Sequence, residues 1–285
     1  MRSDPVEIRP YKAYVEDSPC RLPFPATGRR LLESLDRYLR FMRSQEPEII
    51  GDLVSALLRQ ISSSIPEGPG VSGSKIVEQL IEANQFEPEC REVFEAQFDL
   101  QRGLLELGEE VWTSQETVKV PKGAFIRALY LPQYLQLKAL IDVIGRERGI
   151  ERMKQCLDWA YAQGPDDPDA PKTIDELRRR QVEGNLRGEG MDWIAGIVSG
   201  HQYQNKVTVC AIQRTLAEYD DELMEVVACY PDFALFRKVN PNFCLTRTQT
   251  LMGGGNCCDM CYHDERYVSD FVHPSIAVFD AMEAD

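Results

Sequence analysis

The chain of 285 residues contains no run of about twenty apolar residues, so no membrane-spanning helix is expected. No Lys/Arg run suggests a basic patch, although a local one could still exist. With 46 acidic against 32 basic residues the net charge is −14, which opposes nucleic acid and anionic membrane surfaces at long range. A Walker loop, a Gly-x-Gly-x-x-Gly turn and a Gly-x-Ser-x-Gly elbow are all missing, and no cofactor is expected. Residues 1–19, MRSDPVEIRPYKAYVEDSP, lack the apolar core of a secretory signal. The nine cysteines, an odd number spread from Cys20 to Cys261, are therefore expected as reduced thiols of a cytoplasmic protein.

What is present suits a folded chain with a real core: 43% hydrophobic and 27% charged residues. Residues 1–26 read as an extended arm rich in proline and charge. Residues 27–190 read as mainly helical. Leu31, Leu32, Leu35, Tyr38, Leu39 and Met42 make one apolar face at helical spacing. Pro47 suits the start of a second helix. Further helices are expected over 75–84 and 90–107, and over 122–163 with a break at RERGIER. Thr173 with Glu176 has the capping-box spacing. Residues 191–285 read as an α+β region, with a strand over 205–213 and a helix from 215 to 238. A strand over 242–252, a glycine hairpin and a returning strand follow. The expected class is α+β, a helix-rich N-terminal part packed on a small antiparallel sheet.

The densest chemistry lies in GGGNCCDMCYHD, residues 253–264. Structural zinc takes four ligands, commonly as two close pairs. Cys258, Cys261 and His263 are close in sequence, but no second Cys-x-x-Cys exists, and His201 and His273 stand alone. As a strand, the segment turns Cys257, Asp259 and Cys261 to one side and Cys258, Met260 and Tyr262 to the other. That divergence disfavours both a metal site and a disulfide; adjacent cysteines such as Cys257 and Cys258 pair only with strain. Cys20, Cys90, Cys156 and Cys244 read as ordinary small apolar side chains.

A nucleophilic thiol needs a base or a lowered pKa. His263 and Glu222 are candidate bases from other elements, and Asp259 reads as an orienter of backbone or of a distant partner. Arg247, in a threonine-rich strand, is expected either on a solvated face or paired with a carboxylate from the protein or a ligand.

The ordered set Cys210, Glu222, Cys229, Asp232, Asn240-Pro241, Thr248, Thr250, Gly253-Gly254 and Cys258-Asp259 resembles the L-2-amino-thiazoline-4-carboxylic acid hydrolase family over roughly 205–263. The resemblance implies hydrolytic opening of a small cyclic amidine to an N-carbamoyl-cysteine, here read as cleavage of a C–N bond. It also suggests kinship to small-molecule-binding α+β domains of the 4-vinyl reductase type. It implies Cys258 as the attacking or protonating thiol, with Asp259, Glu222 and Asp232 as its catalytic companions. Arg247, Cys210, Cys229, Thr248 and His263 would bind substrate. Cys257 doubles the cysteine before Cys-Asp, and Met260-Cys261 replaces an expected aromatic and basic pair, so the substrate is open to change. The partner expected is a small molecule, and a homo-oligomer is possible. A cyclase or isomerase of natural-product biosynthesis is the alternative. A non-catalytic ligand sensor is a third reading. A polar pocket where Arg247 and a carboxylate converge on the thiol would favour the hydrolase; a dry apolar one would favour the cyclase.

Overall fold

The computed structural model describes residues 7–24, 26–66, 74–85, 87–108, 111–112, 116–164 and 167–282. It is mixed α+β and helix-rich, with a five-stranded antiparallel sheet and a two-stranded one. The chain divides into two compact units, Asp17–Ala160 and Met1–Glu16 with Tyr161–Asp285.

The first unit is helical. Strand β2 (Pro19–Pro23) pairs with β3 (Thr117–Pro121), and helices α1 (Ala26–Gln45), α2 (Ile50–Ser62), α3 (Ser74–Asn84), α4 (Arg91–Leu105), α5 (Lys122–Ile144) and most of α6 (Arg146–Ala162) surround one core. Every residue of the apolar stripe read on α1 is buried. Two sets of polar groups inside are paired: the Gln97 and Gln101 amides donate to the Leu31 carbonyl, and Glu46 receives Arg148 at 2.6 Å and Arg152 at 2.5 Å. The expected break falls one residue before the RERGIER stretch, where Gly145 takes φ +86 and separates α5 from α6.

The second unit carries the sheet, ordered β1-β4-β5-β7-β6, with β1 at Glu7–Lys12, β4 at Met191–Ser199, β5 at Gln202–Cys210, β6 at Phe243–Thr246 and β7 at Cys258–Asp264. The arm read at the N-terminus thus contains two strands. Pro10 sits within β1, an edge strand, where a missing backbone N–H costs no ladder bond on the open side. Helix α7 (Ile174–Gly188) packs on β5 and β7. Its Thr173 hydroxyl accepts from the Glu176 amide at 3.2 Å, as the capping-box spacing requires, while Glu176 reaches the Lys172 amide at 2.7 Å.

Two expectations need correction. The helix read over 215–238 is three: α8 (Ala211–Leu216), α9 (Asp221–Ala228) and α10 (Pro231–Val239). Asp220 caps α9 by accepting from the Leu223 amide, and Pro231 takes the first position of α10. The strand read over 242–252 stops at Thr246, so the glycines do not form a tight hairpin. The connection from Arg247 to Cys257 is a loop, held in the way described below. A last short helix, α11, covers Ile276–Asp280.

Candidate active site

Strand β7 splits its side chains as alternation requires. Cys258 packs with Trp193 and Val207, and Tyr262 with Tyr203, Phe236 and Phe243. Cys261 packs on the opposite face with Ile194, Phe279 and Met282. The residues proposed from sequence therefore fall into two groups.

The first group gathers Cys210, Cys229, Asp232, Arg247 and Cys258. Arg247 donates from Nη1 to Asp232 Oδ2 and from Nη2 to the Cys229 carbonyl, both at 2.9 Å. Its guanidinium lies over the Phe233 ring, 4.9 Å from the centroid. The carboxylate expected for Arg247 is thus the protein's own. Cys210 packs against the cluster that holds Cys258. Burial pushes the Cys258 thiol up to about 12, although the Leu251 amide, 3.3 Å from the sulfur, pulls it back. Burial also raises Cys229, which is lowered by Arg247 and raised by Asp232, Cys258 and Cys210. Cys210 is raised by burial and further by Asp232. These mutual fields tie the thiols and the ion pair into one site. Asp232 is deeply surrounded, and that burial raises its carboxyl despite Arg247. Yet 35% of its side chain is accessible against 6% for Arg247. The Asp232 carboxyl is thus the accessible edge of the thiol cluster.

The second group lies on the other face. Asp259 is fully buried and takes four donors. Oδ1 accepts the amides of Thr248 and Gln249, each at 2.9 Å. Oδ2 accepts the Thr248 hydroxyl and His273 Nε2, the latter at 3.1 Å. Burial alone raises this carboxyl, but the Thr248 hydroxyl, the two amides and His273 outweigh it and hold the group below the usual carboxylate range. From His273 the chain continues: Nδ1 lies 2.9 Å from Thr246 Oγ1, which lies 3.0 Å from His263 Nε2, whose Nδ1 meets the Gln202 amide at 3.4 Å. One direction of donation satisfies every contact: Gln202 to His263, His263 to Thr246, Thr246 to His273, His273 to Asp259.

Asp259, Thr248 and His263 are therefore apart from the thiol cluster. Asp259 staples the 247–257 loop, the orienting role read for it from sequence. Glu222 is exposed in the first turn of α9. The acid of that helix that meets the loop is Glu225, which accepts the Thr250 hydroxyl at 2.7 Å. A Cβ on Gly253 would stand 2.8 Å from that carboxylate, and Gly254 takes φ +81. The glycines thus serve the loop's close approach to α9. Sequence reading missed Glu225, Thr246 and His273; no local pattern links His273 to a carboxylate fourteen positions earlier.

Burial and the nearby His273 also lower His263 from its usual value. A histidine depressed in the folded state supports stability above its unfolded value of 6.5 and withdraws that support as pH falls toward the folded value. The melting midpoint is expected to decline between about pH 7.5 and pH 5.5, and His263→Asn is expected to flatten that decline. An unchanged slope in the variant would assign the decline to other groups.

Residues 130–262 match the family model described as L-2-amino-thiazoline-4-carboxylic acid hydrolase. The match contains the whole thiol cluster and reaches back into α5. Searches of the curated proteins and of the solved structures return no match.

Proposed function

We propose that the chain is a small-molecule hydrolase that opens a cyclic amidine, with Cys258 as its nucleophile. The observation that carries this reading is the convergence of three thiols and the Asp232–Arg247 pair in one cluster, read here as lining a recess, inside the segment that matches a hydrolase family.

The resting thiol is protonated, because burial holds it near 12. A neutral cyclic amidine entering the recess takes that proton on a ring nitrogen. An amidinium then sits beside a thiolate, with the Asp232 carboxylate next to the cation. The thiolate adds to the amidinium carbon. One ring bond from that carbon breaks, its leaving atom takes a proton, and the opened chain stays linked through sulfur. Water adds to the same carbon, Cys258 departs as the thiol, and a carbamoyl product leaves. One water is consumed and no electrons are transferred. Breaking the ring C–N bond frees an amine; in a thiazoline, breaking the C–S bond frees a thiol and leaves the carbamoyl group on nitrogen.

Incubation with 2-amino-2-thiazoline and with its 4-carboxylate, followed by mass spectrometry, tests the reaction. A product heavier by one water is expected, and a thiol reagent tells which ring bond broke. An isomer of unchanged mass would move the reading to the cyclase or isomerase. Without ligand, the alkylation rate of Cys258 is expected to be slow at neutral pH and still climbing at about pH 10. A plateau near neutrality would show a thiolate already formed and remove the need for proton transfer to substrate.

A further inference from the structure

The recess presents its two charges unequally. Arg247 is spent on the protein: it bonds Asp232 and the Cys229 carbonyl, stacks on Phe233, and exposes 6% of its side chain. Asp232 uses Oδ2 for Arg247 and keeps 35% of its side chain accessible. An entering ligand therefore meets the carboxylate first, while a carboxylate on that ligand finds the guanidinium already occupied and walled in. From this geometry we infer, resting on the hydrolase reading above, that the site recognises its substrate by a planar nitrogen cation placed on Asp232, and that a substrate carboxylate is not read. The substrate class is then a small cyclic amidine or guanidine without an acid group, in departure from the amino acid named in the matched family's description.

Three further observations agree. Cys210, beside the cluster, feels the field of Asp232. Cys229, Cys258 and Tyr262, which also feel the pair, are raised by burial and offer no positive charge to an anion. The chain's net charge of −14 repels a ligand carboxylate before contact. Arg247 in this arrangement is a positioning residue, which keeps Asp232 ionised and aimed.

Equilibrium binding by calorimetry to Cys258→Ala, in which the proposed chemistry is silent, tests the inference with two probes: 2-amino-2-thiazoline and its 4-carboxylate. The uncarboxylated cation is expected to bind at least about tenfold tighter, and Asp232→Asn, added to the same background, to weaken it by about tenfold or more. Binding of the carboxylated probe as tight or tighter would overturn the inference, with or without a foldable Asp232 variant. Binding of the cation alongside absent turnover in the wild type would uphold the inference while removing the hydrolase reading. Turnover that prefers the carboxylate would overturn the inference and leave that reading intact.

Discussion

Cys258→Ala is expected to lose turnover by on the order of 10³-fold or more, with its melting behaviour nearly unchanged. In the proposed scheme the Cys258 thiol forms the bond to the amidinium carbon, and the Leu251 amide lies at its sulfur. Cys210, with the Gln213 and Ile212 amides at its own sulfur, and Cys229 share the space. Cys210→Ala and Cys229→Ala are expected to change binding more than chemistry, because they remove wall rather than nucleophile. The stability cost of Cys258→Ala is small, since a sulfur is traded for a modest void beside Trp193 and Val207. A variant that turns over within a few-fold of wild type would exclude Cys258 as nucleophile and leave the recess as a binding site using water directly.

Asp259→Ala is expected to behave in the opposite way, costing about 3–5 kcal/mol of stability. It would leave the Thr248 and Gln249 amides and His273 Nε2 without their acceptor in a place fully shut from water. Asp259→Asn keeps one carbonyl oxygen and is expected to cost less. Activity lost in either variant should return in proportion to the folded fraction. The pH dependence carries the same sign. The folded carboxyl is held below its ordinary value of 3.8, so its contribution is complete above that value and disappears as acid protonates the folded group. Wild type is therefore expected to lose stability steeply in that acid range and Asp259→Asn to lose less. Chemical denaturation of both proteins across pH measures this; parallel curves would show that Asp259 is not held by these donors.

The contrast between adjacent residues shows what the sequence could and could not reveal. Strand alternation is a local rule, and it correctly sent Cys258 and Asp259 to opposite faces. The same rule failed a few residues earlier. Thr246 to Met252 alternates as a strand would, but the Asp259 carboxylate takes the amides of Thr248 and Gln249 and draws that backbone out of the ladder. A side chain from the next strand thereby overrode the local pattern. The strand context leaves Arg247 either on a solvated face or paired with a carboxylate, and only the packing of α10 supplies Asp232. The edge strand β1 is hidden by Pro10, which is tolerated because one side of the strand is unpaired. The sequence reading names Glu222 and not Glu225; the helix leaves Glu222 exposed and sets Glu225 against the loop.

Site-resolved alkylation of all nine cysteines, with and without saturating 2-amino-2-thiazoline, tests the central claim most directly. The account expects Cys210, Cys229 and Cys258 to be protected together, while Cys257 and Cys261 on the opposite face, and Cys20 and Cys244 elsewhere, keep their rates. Rates unchanged at all three recess thiols under a ligand shown to bind, or protection confined to Cys257 and Cys261, would place the ligand elsewhere and contradict it.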